Sequence, residues 1–255
     1  MTVFELYRFL EDKFPCALSA SWDNDGAACL PAPAREVRRV LVALDATERV
    51  VNRAIEGDFD LLLTHHPLLF RGVKSLTPFA AVPRKLLSLA RSGVTALSYH
   101  TRLDAAEGGV NDVLARALGL VDVKPLACES EPACVRIGEL PLAMDATAFA
   151  AEVKARLGLP TVLVSGTGTV KTVAICGGEG GDFLDAARAA GADIYLSGRI
   201  GYHRMIDAPE EGIIAMEIGH FASEVLVCEE LAALVREADD RVEIEIDKTP
   251  TIKLL

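Results

Sequence analysis

Apolar residues along the chain fall into short unbroken runs separated by amphipathic stretches of helix length. Thr2 and Glu5 stand in capping-box spacing, and Val3, Leu6, Phe9 and Leu10 follow at helical intervals, which predicts a surface helix ending near Pro15. After a loop containing SWDNDG, the run RRVLVALDAT predicts a buried strand, and Thr47 caps a helix with Val50, Val51, Ala54 and Ile55 on one face. The same unit recurs. DLLLTHH is a strand, PRKLLSLARSG a helix closed by Gly93, VTALSYH a strand, and GGVNDVLARALG a helix closed by Gly119. Strands that are apolar on both faces and alternate with helices predict an α/β fold with a mainly parallel sheet.

From about 121 to 140 the rhythm changes, with Pro125, Pro132 and Pro141 and two short strand-like pieces. A boundary is placed there, giving one α/β lobe over 1–125, joined by the C-terminal segment 235–255, and a second over 126–234. The second half predicts a helix over 145–158, strands TVLV and VKTVAIC around the turn SGTGT, and a helix from GDFLDAARAAG. Strand DIYLSG, a helix near 201–208, strand GIIAMEIG and one long helix over 222–237 follow. The closing RVEIEID alternates Val242, Ile244 and Ile246 with charged residues, as an antiparallel or edge strand with one wet face does. GDFDLLLTHH is matched by GADIYLSGRI, and GVTALSYHTRLD by GIIAMEIGHFASE, which points to an internal repeat, with chance similarity between buried strands as the competing explanation.

Composition narrows the class. With 51% apolar residues in 255, the chain is not disordered and can bury a sizeable core. A net charge of −11 offers no long-range attraction to phosphate backbones or anionic lipid, so neither nucleic acid nor membrane is expected as a partner. The six cysteines, at 16, 29, 128, 134, 176 and 228, never form Cys-x-x-Cys and read as buried thiols of a reducing cytoplasm. The N-terminus carries acids where a signal peptide needs an apolar stretch, so a cytoplasmic location is expected.

Only five histidines are present, and His65 with His66, His100 and His220 follow directly on predicted strands, where open α/β sheets place their ligands. A lone histidine there is commonly a hydrogen-bonded structural residue. A pair ending an apolar run is different, because two rings would need two separate buried partners. At a strand end His65 and His66 can serve two ions side by side. Asp104 lies four residues after His100, and Glu224 four after His220, a spacing that brings two side chains to one helix face. Glu224 could equally serve only the dipole of its helix.

The motifs LDAT, DLLLTHHPLLF, HTRLDAAEGGVNDVLA, SGRIGYH and GHFASE, in this order, resemble the NIF-three-like family, whose members carry the name GTP cyclohydrolase 1 type 2 homologue. The resemblance runs from WDNDG at 22–26 through the helix after GHFASE. It implies two similar α/β lobes with a di-metal site in the cleft between them, and a toroidal homohexamer. It further implies that His65 and Asp104 hold one divalent ion, His66 and His220 the other, with Glu224 bridging, and that His100 sits beside the ions without ligating them. His203 matches the family's Tyr-His, while Arg199 stands where an acid is common. A mixed imidazole and carboxylate shell accepts zinc, manganese, iron, cobalt or nickel.

The function expected is a di-metal-dependent hydrolase acting on a small molecule, a nucleotide such as GTP on the family's name, with His100 as the catalytic proton carrier. A metal-binding scaffold or regulatory protein without turnover, or a phosphoesterase or amidohydrolase with the same ions, is the alternative. SGTGTVKT lacks the spacing of a phosphate loop. GGEGGDF, between a strand and a helix, is a second candidate for anion binding through its amides, with close packing of strand on helix as the competing reading. Trp22, Asp23 and Asn24 either line the site or form a capped turn.

Overall fold

The computed structural model describes residues 1–128 and 133–252, and Pro132 of the boundary region lies outside them. Among the described residues the strands are β1 (Gly26–Cys29), β2 (Arg39–Ala43), β3 (Leu61–Thr64), β4 (Thr95–Ser98), β5 (Val121–Leu126), β6 (Val135–Asp145), β7 (Leu163–Ser165), β8 (Thr169–Glu179), β9 (Ile194–Arg199), β10 (Ile214–Glu217) and β11 (Glu243–Asp247). The α-helices are α1 (Val3–Lys13), α2 (Glu48–Glu56), α3 (Ala81–Ser92), α4 (Thr101–Ala105), α5 (Val110–Leu118), α6 (Ala146–Leu157), α7 (Leu184–Ala189), α8 (Tyr202–Asp207), α9 (His220–Glu224) and α10 (Val227–Ala238). The fold is mixed α/β, with two sheets flanked by helices. Among the described residues no helix is long and apolar enough to cross a membrane.

By internal contacts the chain divides into two units, Met1–Leu103 with Val227–Leu255, and Asp104–Leu226. The first holds a five-stranded sheet ordered β1-β4-β3-β2-β11. β11, β2, β3 and β4 run parallel, and β1 pairs antiparallel with β4. Local signals set the helix ends. Thr2 and Glu5 form the reciprocal capping box of α1, Thr47 accepts from the Val50 amide, and Gly93 closes α3 in the left-handed region. β3 is buried throughout, and Leu41, Val51, Leu62, Leu86 and Leu89 share one core.

The second unit holds a six-stranded sheet ordered β5-β6-β8-β9-β10-β7. Strand alternation splits β8 between two cores. Val173 and Ile175 pack with Leu114 of α5 and Phe149 of α6, whereas Ala174 and Cys176 pack with Leu184 of α7 and Met205 of α8. Both faces are covered, which is why VKTVAIC reads as a continuous apolar run. The two units share a plan. In each, four consecutive strands lie in the order first, fourth, third, second, with the last three parallel and the first antiparallel to the fourth (β1 to β4, and β7 to β10). The matched sequences GDFDLLLTHH and GADIYLSGRI fall on the equivalent strands β3 and β9.

Four expectations need correction. Of the six cysteines expected to be buried, Cys176 and Cys228 are, whereas Cys29, Cys128 and Cys134 are partly exposed and Cys16 is exposed. The helix expected over 222–237 is two helices, because α9 starts at His220 and ends at Glu224, and α10 begins at Val227. Ser223 Oγ donates to His220 O and accepts from the Gly178 amide, side-chain bonding that competes with continuation of a helix. β7 and β8 do not form a hairpin around SGTGT, since β7 pairs antiparallel with β10. β11 is an edge strand, as one alternative had it, but it runs parallel to β2.

β11 is fixed to α2 by charge. Both guanidinium Nη atoms of Arg49 donate to the buried Asp247 carboxylate at 2.6 and 2.9 Å, and Arg53 adds a third bond at 2.9 Å. Hydrogen bonds, from Arg49 above all, outweigh burial and hold the Asp247 carboxyl well below the usual carboxylate range. A lowered folded pKa gives stability that is complete above the unfolded value, near 3.9, and is lost as pH falls through the folded one. Asp247→Asn is therefore expected to lower stability to urea by roughly 1–2 kcal/mol at neutral pH, the half-exposed arginines limiting the effect, with the deficit shrinking below about pH 4. A deficit unchanged by acid would contradict this assignment.

Candidate metal centre

In the first unit the candidate donors sit where β3 and β4 end. His65 follows Thr64 directly, and the His66 amide donates to Leu44 O at 3.0 Å, which carries the chain off the strand. The rings of His65 and His66 lie 4.8 Å apart between centroids, and His100 lies 5.3 and 5.5 Å from them. One ring nitrogen of each falls within 4.8 Å of the others.

Each of these rings has its Nδ1 committed to a fixed acceptor. His65 Nδ1 is 2.9 Å from Tyr99 O, and a carbonyl only accepts, so Nδ1 bears the proton and Nε2 the lone pair. His66 Nδ1 is 2.8 Å from Asp45 Oδ1, and His100 Nδ1 is 3.0 Å from Asp23 Oδ2, with the same consequence in the neutral rings. Asp23 is in turn bonded by the Thr101 amide and hydroxyl. Burial pushes the Asp23 carboxyl up, but the bonds from His100 and Thr101 prevail and hold it well below the usual range, so it is an anion at working pH. Its neighbour Asp25 accepts from the His100 amide at 3.0 Å and pairs with the buried Arg102 at 2.7 Å. The segment 22–25 is thus an anchored turn attached to His100.

In the second unit His220 opens α9 and Glu224 closes it, with His220 Nε2 3.1 Å from Glu224 Oε2. Carboxylate oxygens of Asp104 and Glu224 lie within 4.8 Å of one another. Asn111 braces this region, donating to Asp104 O at 3.1 Å and accepting from the Gly177 amide at 2.7 Å. Two glycines make the room. A Cβ on Gly178, which has φ +65°, would collide with Glu224 Oε1 and lie 3.4 Å from His220 Nε2. A Cβ on Gly198 would lie 2.5 Å from Ser223 Oγ and 2.9 Å from His220 Cα.

Three amides of GGEGGDF are engaged within the chain, Gly177 N–H on Asn111, Gly178 N–H on Ser223 and Gly180 N–H on Arg199 O. Gly177 and Gly178 give clearance around Glu224. His203 is exposed on α8 with its ring edge-on to Tyr202 at 5.5 Å, and it joins none of the donor groups found among the described residues. Arg199 is exposed and 3.9 Å from Glu179.

The donor sets suit divalent ions. The first unit offers three imidazoles with directed lone pairs, and the second an imidazole beside the Glu224 carboxylate, which lies close to that of Asp104. Asp45 is the residue that sequence reasoning missed. It ends the apolar run of LDAT, and an acid in that position, at the carboxyl end of a buried strand, is the signal that could have found it.

Residues 1–253 match the family described as Duf34/NIF3 (NGG1p interacting factor 3). A protein of Clostridium perfringens named GTP cyclohydrolase 1 type 2 homolog is 33% identical over 256 residues, covering 97% of each chain. One of the same name from Streptomyces coelicolor is also 33% identical, over 97% of this chain and 91% of its own. The crystal structure of a hypothetical protein from Staphylococcus aureus superposes with a TM-score of 0.90 at 26% identity, covering 100% of this chain and 99% of its own. With the match spanning almost the whole sequence, the chain belongs to the Duf34/NIF3 family.

Proposed function

We propose that this protein is a hydrolase dependent on two divalent metal ions. The observation that carries the reading is the set of three imidazoles at adjacent strand ends, each turned by an acceptor on Nδ1 so that Nε2 keeps its lone pair. Buried metal-binding histidines are commonly oriented by such partners. In this reading His65 and Asp104 hold one ion, His66 and His220 the other, and Glu224 bridges them. Two such ions, when bound, supply an acidified water and polarise the bond it attacks.

The chain's own residues then have distinct tasks. Tyr99 O and Asp45 hold the His65 and His66 rings in place. His100, with Nδ1 on the Asp23 carboxylate, takes a proton at Nε2 and returns it to the leaving group, and the Asp23 charge stabilises the imidazolium formed between the two transfers. The names of the relatives make GTP the first substrate to try, with one water opening the imidazole ring of guanine at its carbon to a formamide and a second water releasing formate. The assembly proposed is a toroidal homohexamer, on the family resemblance.

Metal-loaded protein offered GTP, a panel of phosphoesters and cyclic amides is expected to turn over GTP, and Glu224→Ala to abolish that turnover. No turnover on any of them would overturn the reading. His100→Ala is expected to lower kcat by about 10²- to 10⁴-fold while metal content, measured by elemental analysis, stays at the parental level. Full activity, or loss of the metals along with activity, would remove the proton-carrying role. Light scattering is expected to give about six times the 27.2 kDa chain mass, and the mass of a single chain would refute the hexamer.

A further inference from the structure

Trp22 and Phe70 are large apolar side chains left in solvent, 59% and 49% exposed. They are neighbours, with centroids 5.8 Å apart and planes inclined by 60°. Each ring also stands 6.1 Å from His100 and at 75° to it, so the two aromatics flank the same imidazole. Their position is enforced from both sides. Trp22 precedes Asp23, which is bonded to His100 and Thr101, and Phe70 follows Leu68, which is buried in the core. Between them the Asn24 side-chain amide donates to Leu69 O at 2.6 Å, joining the two segments next to the rings.

Exposing two aromatic rings to water is unfavourable, and fixing them there with three separate polar attachments is not what a stray surface side chain requires. Rings held with open faces offer stacking surface for another planar ring, and stacking tolerates any flat heteroaromatic system because each has a π-face. A saturated sugar or an alkyl phosphoester gains far less from the same surface.

We propose that Trp22 and Phe70 form an aromatic wall that binds the planar heterocycle of the substrate beside His100, and so select heteroaromatic substrates over aliphatic ones. The proposal rests on the hydrolase reading for its site and its heteroaromatic substrate, and adds the residues that recognise the ring. Phe70 and Trp22 contribute binding to the ring itself, and His100 acts on a group attached to or within it.

Trp22 is the one tryptophan of the chain, which makes it a reporter inside the proposed wall. Metal-loaded protein titrated with guanosine, GTP and ribose 5-phosphate, with free N-acetyltryptophanamide correcting for absorption by the base, is expected to show saturable quenching by the first two and none by the third. Phe70→Leu, which keeps an apolar side chain without the ring, is expected to weaken the Kd for guanosine about tenfold, and Phe70→Tyr to restore it. Equal Kd values for parent and Phe70→Leu, or equal quenching by ribose 5-phosphate, would overturn the wall. So would a Phe70→Leu variant whose oligomeric state changes while guanosine affinity does not. Failure of the two ideas is separable. Turnover lost in Glu224→Ala together with a KM indifferent to Phe70→Leu leaves the hydrolase standing without the wall, and ring binding without turnover leaves the wall without the hydrolase.

Discussion

Three hydrogen bonds, one on the Nδ1 of each of His65, His66 and His100, are the constraint on which the candidate centre rests. An imidazole without such a bond exchanges tautomers and can rotate, so its lone pair has no fixed direction. Here the acceptors are a backbone carbonyl and two carboxylates, none of which can be satisfied by a lone pair. Each ring is therefore held with Nε2 as its basic nitrogen, and the three are held within reach of one another. The rest of the first unit supports this. The turn carrying Asp23 and Asp25 is fastened by Thr101 and the buried Arg102, and β2 supplies Asp45 two residues beyond its last paired residue.

Much of this was legible in the sequence because it depends on local signals. The caps at Thr2, Thr47, Gly93 and Gly119 stand where their residue types require, and the buried parallel strands announce themselves as unbroken apolar runs. The His65–His66 pair was visible because two polar rings cannot end a buried run without a purpose. What could not be read depends on partners far away in the chain. Asp45 meets His66 because β2 and β3 pair in a register that aligns Ala43 with Thr64, which nothing near either residue specifies. The break between α9 and α10 follows from the bond between Ser223 and Gly178, which are 45 residues apart. Likewise, alternation in RVEIEID reveals one wet face but carries no information on strand direction.

The shared strand plan of the two units gives the spacing of site residues a structural basis. In both, the fourth strand of the set is followed by a histidine and a short helix with an acid four residues on, His100 with Asp104 and His220 with Glu224. The two units differ at the third strand. β3 ends in two histidines, whereas β9 runs through Gly198 to Arg199, and the missing side chain at Gly198 leaves space for Ser223 and the backbone at His220. The first unit carries imidazoles at that position, and the second, with glycine there, has room for a carboxylate and an imidazole to stand together.

Diffraction from crystals soaked in a zinc or manganese salt, recorded on both sides of the metal's absorption edge, tests the central claim most directly. The expected result is two anomalous peaks per chain about 3.5–4 Å apart, one within about 2.0–2.2 Å of His65 Nε2 and the other as close to His66 Nε2, with no peak on His100. Peaks bound through Nδ1, a single peak shared with His100, or no peak at these rings at full soaking would contradict it.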